Sequence, residues 1–395
     1  IIVGGYVRDF FLKKPSKDID IELYGVKSLK QLEGILEEFG SVNNVGKSFG
    51  VCKLSLNDLD IDFTLPRRDN KIAPGHSGFL IEFDNTLDFT TASSRRDFTM
   101  NAIGFDIKKQ KFLDPYNGIS ALKNKTIYAV DLDKFQEDSL RVFRAIAFAT
   151  RLNFTLEKNL FLLCKTMCEK DLLYELPKER IYDELKKILL NTPSPSEAFI
   201  LLKKLDGLKY LHPLERMSSN DFSTTIANLD RMKRLTVREQ NTNLFLMLSL
   251  ICYTFKKQEI EVFINTITNK KNLSEKIYLL ISTKFKNTYT DSELLHLATK
   301  VNIELFLLFS QAIYPNKDVS IFFRIKQQAL ELNVLNSKGK AFLQGRDILA
   351  LGVAPSQEYS KILSLAYQAQ LDLEIHSRAE ALIWLKKYLH LYLDR

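Results

Sequence analysis

A change in sequence pattern near residue 115 is the feature that most restricts the possible fold of this chain. Before the segment Asp114-Pro115-Tyr116-Asn117-Gly118, short apolar runs alternate with glycine-containing turns, and after it glycine becomes rare. Apolar residues at every second position indicate strands, whereas a period of 3.6 indicates helices. We therefore predict an α+β region over roughly the first 115 residues, with a mixed sheet and helices, followed by an all-α remainder.

Length and composition exclude several classes of protein. A chain of 395 residues with 45% hydrophobic and 26% charged residues is typical of a folded protein. This length favours about two to four domains. The longest apolar run, residues 244–255, is shorter than the ~18–20 residues that a membrane span requires. We predict a short core helix there and expect no membrane partner.

The charge balance and the cysteines bear on partners and cellular compartment. The net charge of +8 and the pI near 9.0 permit a polyanionic partner such as nucleic acid. The four cysteines form no CxxC pair, and we interpret them as buried thiols of a reducing cytosol rather than zinc ligands or disulfides. No signal peptide is visible in a sequence that begins at Ile1 without Met, and we expect a cytoplasmic location.

Two carboxylates occur at a spacing that suits a metal ion. Residues 18–23 alternate with period two, so Asp18 and Asp20 point to the same face of a predicted strand. Neighbouring carboxylates repel each other unless a cation lies between them, and Mg²⁺ prefers carboxylates together with substrate phosphates. A solvated strand edge with two acidic residues is the alternative interpretation.

A glycine pair upstream supports the metal interpretation. Gly4 and Gly5 lie between an apolar strand and a helix, where backbone amides can approach a triphosphate because no Cβ intervenes. Arg8, one helical turn further on, can contact phosphate oxygens through two nitrogen atoms. With Asp18 and Asp20 on the next strand, the pattern predicts a phosphate and metal site, although a glycine pair alone is a common turn.

Two later segments add candidate residues. Asp62 follows Asp60 with the same spacing and would be a third carboxylate near the metals if its strand lies beside the first. A strand edge or a turn cap explains Asp62 equally well. In the other segment, Arg96 directly follows Arg95. A pair of adjacent arginines is costly to bury, so we expect it to face solvent or a polyanion. Asp97 and Asn101 are one helical turn apart and could hold an arginine or a ribose hydroxyl.

A predicted helix near residues 137–151 carries charge on one face. Asp138, Arg141, Arg144 and Phe148 share that face at 3.6 residues per turn. An amphipathic helix with an Asp138–Arg141 ion pair is the simpler explanation when this segment is taken alone.

Together these segments resemble the class II tRNA nucleotidyltransferases (CCA-adding enzymes), which share a catalytic head with bacterial poly(A) polymerases. The resemblance covers residues 1–190 in family order, with a weaker match at 345–370. The matching segments are VGGYVRDFFL, KDIDIEL, SSRRDFTMNAIGFD, LDPYNGISALKNKTI, EDSLRVFRAIAFATRLNF, ELPKERIYDELKKILL and, more weakly, GRDILALGVAPSQEYSKILSLAYQAQ.

The resemblance implies a division of the chain into four parts. The first would be a polymerase-β-like nucleotidyltransferase head, the second a helical neck that recognises the base, and the last two a helical body and a tRNA-binding tail. Their predicted ranges are 1–115, 116–190, 191–330 and 331–395.

The resemblance also implies a reaction. Asp18 and Asp20 would hold two Mg²⁺ ions. Asp62, which its spacing alone suggests, would be a further catalytic carboxylate. One ion would lower the pKa of the RNA 3′-hydroxyl, which attacks the nucleotide α-phosphate in line, and the other would neutralise the leaving pyrophosphate. The resemblance assigns nucleotide binding to Gly5, Arg8, Arg96, Asp138, Arg141 and Arg144. The residue pattern adds Gly4, Asp97 and Asn101 to the nucleotide-binding candidates.

Base selection has a physical explanation. Cytosine and adenine each present an amino donor beside a ring-nitrogen acceptor, which a carboxylate and a guanidinium can match. The resemblance assigns these parts to Asp138 and Arg141, with Arg144 supporting them. CTP and ATP would thus be selected without a template, because uracil and guanine would leave a charged group unpaired. Residues 66–90 are interpreted as a long mobile loop that helps the change from C to A addition.

The expected partner is tRNA, through its acceptor stem and 3′ end. Basic residues after the neck could contact stem phosphates, although solvated helix faces are the default: Lys178, Arg180, Lys186, Lys187, Lys203 and Lys204. The alternatives are an A-adding, CC-adding or poly(A)-polymerase member of the same family and, in another class, an inactive RNA-binding homologue. The oligomeric state is left open.

Overall fold

The computed structural model describes residues 1–26, 28–46, 51–56, 59–71, 79–235 and 239–393. The chain forms two compact units. The first unit contains residues 1–226 and 262–269, and the second contains residues 227–261 and 270–395. The predicted division into head, neck, body and tail remains a prediction.

The first unit contains a seven-stranded mixed sheet. The strand order is β3-β4-β5-β2-β1-β8-β9, in which β2 and β5 are parallel and the other neighbouring pairs are antiparallel. The predicted mixed sheet is therefore confirmed. Its strands are β1 (Ile2–Val3), β2 (Asp18–Glu22), β3 (Ser41–Gly46), β4 (Val51–Leu56), β5 (Leu59–Thr64), β8 (Gly104–Asp106) and β9 (Lys111–Leu113).

The interpretation of residues 66–90 as one loop is wrong. Strands β6 (Arg67–Lys71) and β7 (Phe79–Phe83) pair antiparallel, with Arg67 opposite Phe83. The apolar, aromatic sequence of β7 has a high β-propensity, and its ladder also orders the polar strand β6. A helix, α3 (Phe89–Ser93), begins soon afterwards. Residues 72–78, the centre of the predicted loop, lie outside the described residues, as does the turn predicted at residues 57–58.

The remaining elements of the first half are helices and one short ladder. Helix α6 (Leu140–Leu152) packs on α8 (Lys178–Asn191) and α9 (Pro195–Lys204), and its Val142, Phe143 and Ile146 are fully buried. The predicted all-α region contains a small exception, because β10 (Thr126–Ile127) and β11 (Thr155–Leu156) pair in parallel. The other helices are α1 (Gly5–Phe11), α2 (Leu29–Leu36), α4 (Gly118–Lys123), α5 (Leu132–Phe135), α6 (Leu140–Leu152), α7 (Lys158–Glu169), α8 (Lys178–Asn191) and α9 (Pro195–Lys204).

The second half of the chain is helical in its described residues. The apolar run at residues 244–255 largely forms α11, whose Leu246, Met247 and Leu250 are fully buried, so the predicted core helix is confirmed. No described helix has both the length and the apolar character needed to cross a membrane. The helices are α10 (Ser219–Arg234), α11 (Gln240–Ile251), α12 (Lys257–Ile267), α13 (Leu273–Ser282), α14 (Asp291–Lys300), α15 (Ile303–Ile313), α16 (Val319–Glu331), α17 (Gly345–Leu349), α18 (Glu358–Leu371) and α19 (Arg378–Leu393).

The four cysteines are buried free thiols, as predicted. Burial raises the pKa of the Cys168 thiol to about 12, so the thiolate is scarce at neutral pH. These side chains therefore act as small apolar core groups.

Candidate functional site

A cavity of about 500 Å³ in the first unit contains most of the predicted site residues. Six arginines and three aspartates are among the described residues that line it, so positive charge is in excess. Such a cavity favours a polyanionic ligand. The lining residues are Gly4, Gly5, Arg8, Asp20, Arg67, Arg95, Arg96, Asp97, Asn101, Asp138, Arg141, Arg144 and Phe148.

The glycine pair forms one corner of the cavity. Gly4 has φ +71°, a conformation that side-chain-bearing residues rarely adopt, and it precedes the first turn of α1. A Cβ at Gly4 would lie 3.1 Å from Oδ2 of Asp20 and 3.2 Å from Nη1 of Arg96. The backbone can therefore come close to both charged groups only because no side chain intervenes.

The three predicted carboxylates lie on two neighbouring strands. Asp20 pairs in register with Asp62, and Asp18 with Asp60, because β2 and β5 are parallel neighbours. The strand that carries Asp62 therefore lies beside the strand that carries Asp18 and Asp20, as the predicted role of Asp62 required. Of the three, only Asp20 lines the cavity, while Asp18 is exposed at the start of β2.

The surroundings of these carboxylates favour a cation. Burial raises the pKa of Asp20 above its usual 3.8, and the charges of Asp62 and Asp18 raise it further against the opposing effect of Arg96. Oδ1 of Asp62 is buried and has no hydrogen-bond partner among the described residues, although Nζ of Lys53 lies 3.8 Å away. A positive ion near Asp20 and Asp62 would relieve both conditions.

The donor set fits Mg²⁺ bound together with a substrate. In the described part of the chain, no three or more His, Cys, Asp or Glu side chains converge as a complete metal cage. Mg²⁺ usually needs only one or two carboxylates, because water and substrate phosphates supply its other ligands. Asp18 and Asp20 provide two carboxylates beside a cavity suited to phosphates.

A third acidic residue of β2 was missed. Glu22 is 1% exposed, accepts a hydrogen bond from the Tyr24 hydroxyl (2.7 Å), and receives Nη2 of Arg95 at 3.3 Å. Nη2 of Arg96 lies 3.6 Å from Oε2 of Glu22, the oxygen that Arg95 also contacts. The period-two alternation that identified Asp18 and Asp20 extends to Glu22 and could have indicated it.

Asp97 lies at the centre of a buried polar network. Its Oδ2 accepts two hydrogen bonds from Arg144 (2.8 and 2.6 Å), and its Oδ1 accepts from Nδ2 of Asn101 (3.0 Å) and the Phe98 amide (2.8 Å). Burial alone would raise the pKa of Asp97, but Arg144 and Asn101 outweigh it and hold the pKa below 3.8. Of the two predicted partners, an arginine or a ribose hydroxyl, Asp97 therefore holds the arginine.

Arg8 connects this network to the glycine corner. Its Nε and Nη2 donate to the Asp9 carboxylate (2.8 and 2.9 Å), and its Nη1 donates to Oδ1 of Asn101 (2.9 Å). Its guanidinium also lies 5.1 Å from the centre of the Phe148 ring, within cation–π range. Arg8 is 5% exposed and is held in one orientation at the cavity wall.

The residues predicted to contact the base line the cavity together, but they do not pair with each other. Asp138 precedes α6, and its carboxylate accepts from Arg180 (3.4 and 3.5 Å). Arg141 donates instead to the backbone oxygens of Lys134 and Arg95 (both 2.8 Å). The simpler alternative of an Asp138–Arg141 ion pair is therefore wrong, and Arg180, predicted for tRNA phosphates, contacts a cavity residue.

Two family models match segments of the first unit. Residues 1–128 match the poly A polymerase head domain, and residues 153–215 match the probable RNA and SrmB-binding site of polymerase A. The "Multifunctional CCA protein" of Mannheimia succiniciproducens is 34% identical over 215 residues, 54% of this chain and 49% of that protein. The "CCA-adding enzyme" of Buchnera aphidicola subsp. Cinara cedri is 34% identical over 216 residues, 54% of this chain and 50% of that protein. The chain spans about half the length of the curated relatives it matches.

Solved structures extend the likeness to the whole fold. The Bacillus stearothermophilus CCA-adding enzyme in complex with CTP has a TM-score of 0.77 at 20% identity, covering 100% of this chain and 94% of that one. The Thermotoga maritima CCA-adding enzyme complexed with tRNA has a TM-score of 0.60 at 19% identity, covering 98% and 90%. The predicted fold class and the predicted resemblance to this family are confirmed.

Proposed function

Because this chain shares the head domain of poly A polymerases and the fold of CCA-adding enzymes, we propose that it is a nucleotidyltransferase. It adds C, C and A to the 3′ end of tRNA from CTP and ATP without a template. One observation carries the proposal: the same cavity is lined by the glycine corner, Asp20, the arginines and the two residues predicted to contact the base, Asp138 and Arg141.

The triphosphate is bound at the glycine corner. The amides near Gly4 and Gly5 and the guanidiniums of Arg8 and Arg96 supply donors and positive charge for its oxygens. This contact orients the α-phosphate for in-line attack by the RNA 3′-hydroxyl, and positioning of this kind lowers the barrier by removing orientational freedom before the reaction.

Asp18 and Asp20 would hold two Mg²⁺ ions, with Asp62 as a further carboxylate beside Asp20. When bound, Mg²⁺ lowers the pKa of the attacking hydroxyl and neutralises charge on the departing pyrophosphate. The partly buried position of Asp20 keeps water from screening this interaction.

The base is selected by Asp138 and Arg141, which line the same cavity. Asp138 accepts a hydrogen bond from the amino group of cytosine or adenine, and Arg141 donates one to the neighbouring ring nitrogen. Both side chains already have protein partners, Arg180 for Asp138 and two backbone oxygens for Arg141. A base would exchange with these partners, while Arg144 stays in place through its two bonds to Asp97.

The same cavity would also serve an A-adding or CC-adding relative or a poly(A) polymerase, since all would use these contacts. An inactive RNA-binding protein is the other class, and the presence of both Asp18 and Asp20 argues against it. These alternatives differ in product rather than in the architecture of the site.

The deciding experiment supplies single labelled nucleotides with Mg²⁺ to three tRNAs: one ending before CCA, one ending in C-C, and one complete. We expect CTP and then ATP to be added to the first tRNA, with addition stopping at CCA. ATP addition only to the C-C end would identify an A-adding enzyme, and continued ATP addition to the complete tRNA would identify a poly(A) polymerase. No incorporation on any tRNA would contradict the proposed function.

A further inference from the structure

Glu22 is a buried carboxylate that the proposed reaction does not use. It is the last residue of β2, two positions after Asp20, and its side chain is almost fully enclosed at 2% exposure. A buried charge is costly unless it is paired and hydrogen-bonded. Its partners, Arg95 and Arg96, both line the cavity, so Glu22 can act on the proposed triphosphate site through them.

The two oxygens of Glu22 have different partners. Oε1 accepts a hydrogen bond from the Tyr24 hydroxyl at 2.7 Å. Oε2 faces Nη2 of Arg95 at 3.3 Å and Nη2 of Arg96 at 3.6 Å. One oxygen atom thus lies between two guanidiniums that both line the cavity.

The arginine pair requires such a partner. Adjacent guanidiniums repel each other, and Glu22 is the carboxylate that both of them approach. Asp20 and Arg96 also lie close to each other, because a Cβ placed on Gly4 would be 3.1 Å from Oδ2 of Asp20 and 3.2 Å from Nη1 of Arg96. Without Glu22, Asp20 is therefore the nearby carboxylate toward which Arg96 would turn.

On this geometry we propose that Glu22 is a positioning residue that holds Arg95 and Arg96 toward the triphosphate and away from Asp20. The proposal rests on the proposed function only in assigning the triphosphate to this end of the cavity.

The test compares Glu22→Gln with the unmodified protein in calorimetric titrations with inorganic tripolyphosphate, CTP and ATP. The substitution removes the charge and preserves the shape of the side chain. If Glu22 acted only through its negative charge, its loss would strengthen the binding of these anions. Positioning predicts the opposite sign, a weakening of about 10-fold that is similar for all three ligands.

A second readout is the concentration of Mg²⁺ needed for half-maximal incorporation. We expect Glu22→Gln to raise it about 5-fold, because Arg96 would compete with the metal for Asp20. A merely structural residue would change the folded fraction without changing this concentration.

Two control variants isolate the effect. Tyr24→Phe keeps the charge and removes one hydrogen bond, so its affinity for tripolyphosphate should stay within about 2-fold. Asp347→Asn changes a buried carboxylate of the second unit that pairs with Arg378 at 2.6 Å, and it should leave all three affinities unchanged. Thermal unfolding of each variant verifies that it is folded.

Unchanged or tighter binding of tripolyphosphate by folded Glu22→Gln would overturn the proposal, as would an equal loss in Tyr24→Phe. The assay with tripolyphosphate needs no catalysis. If the unmodified protein incorporates neither nucleotide but binds tripolyphosphate, and Glu22→Gln weakens that binding, the proposed function fails while the positioning role stands.

Discussion

Asp20 and Asp97 face the same cavity, but their surroundings are opposite. Asp97 accepts four hydrogen bonds, two of them from Arg144, and its pKa is held below 3.8. Asp20 lies beside the carboxylates of Asp62 and Asp18, and burial raises its pKa above 3.8. Asp97 is a permanently charged structural partner, whereas Asp20 is under-compensated and suited to a cation that arrives with the substrate.

The comparison predicts its largest effect for incorporation. Asp20→Ala should lower nucleotide incorporation about 1,000-fold, because it removes a carboxylate of the proposed metal site. Stability and tRNA binding should hardly change, as measured by urea unfolding and by gel shift. A folded Asp20→Ala protein with near-normal incorporation would remove Asp20 from the reaction.

The corresponding change at Asp97 should act on stability. Asp97→Ala leaves the half-buried Arg144 without its main partner. We expect a loss of about 2–3 kcal/mol in the free energy of unfolding, less than for a fully buried pair because the Arg144 side chain is 32% exposed. The variant should unfold at clearly lower urea concentration, and Asn101 would lose the acceptor of its Nδ2 group. A loss of incorporation with unchanged unfolding would show instead that Asp97 contacts the nucleotide.

Selectivity should depend on the other end of the network. Arg141→Ala should lower the preference for CTP and ATP over UTP and GTP about 10-fold, measured as the ratio of kcat/KM values. The affinity for tripolyphosphate should change less, because the proposed partner of Arg141 is the base and not the triphosphate. Lys134→Ala is a matched control, since Arg141 donates to the backbone oxygen of Lys134, which this substitution keeps. Unchanged selectivity would exclude Arg141 from base selection.

The smallest effect distinguishes the two carboxylates by pH in the metal-free protein. The lowered pKa of Asp97 means that it stabilises the fold above pH 3.8 and that this contribution is lost as the pH falls through its folded-state pKa. Asp20 has a raised pKa, so its contribution is present below pH 3.8 and is lost as the pH rises.

Urea unfolding between pH 3 and 7 measures this contrast. Asp20→Asn should be slightly more stable than the unmodified protein at pH 7, by about 1 kcal/mol or less, with the difference vanishing at low pH. Asp97→Asn should show a deficit that is largest at pH 7 and shrinks at low pH. The same sign for both variants would contradict the contrast.

Local pattern was enough to predict much of the fold and most members of the site. Alternation with period two identified β2 and the common face of Asp18 and Asp20, and helical spacing grouped Asp138, Arg141 and Phe148, which do line one cavity. Such periodicities follow directly from backbone geometry, so a single sequence reveals them. The β6–β7 ladder escaped prediction because strand pairing depends on a partner, and β6 is polar throughout.

The sequence by itself determined which chemical groups were available: a glycine pair, paired aspartates and several arginines. Only the tertiary structure decided how they are matched. Arg144 bonds to Asp97 across 47 positions, Arg180 to Asp138 across 42, and Arg95 to Glu22 across 73. Ion pairs form between whichever charges the packing of sheet and helices brings within a few ångströms, and sequence spacing carries no information on such long-range matches.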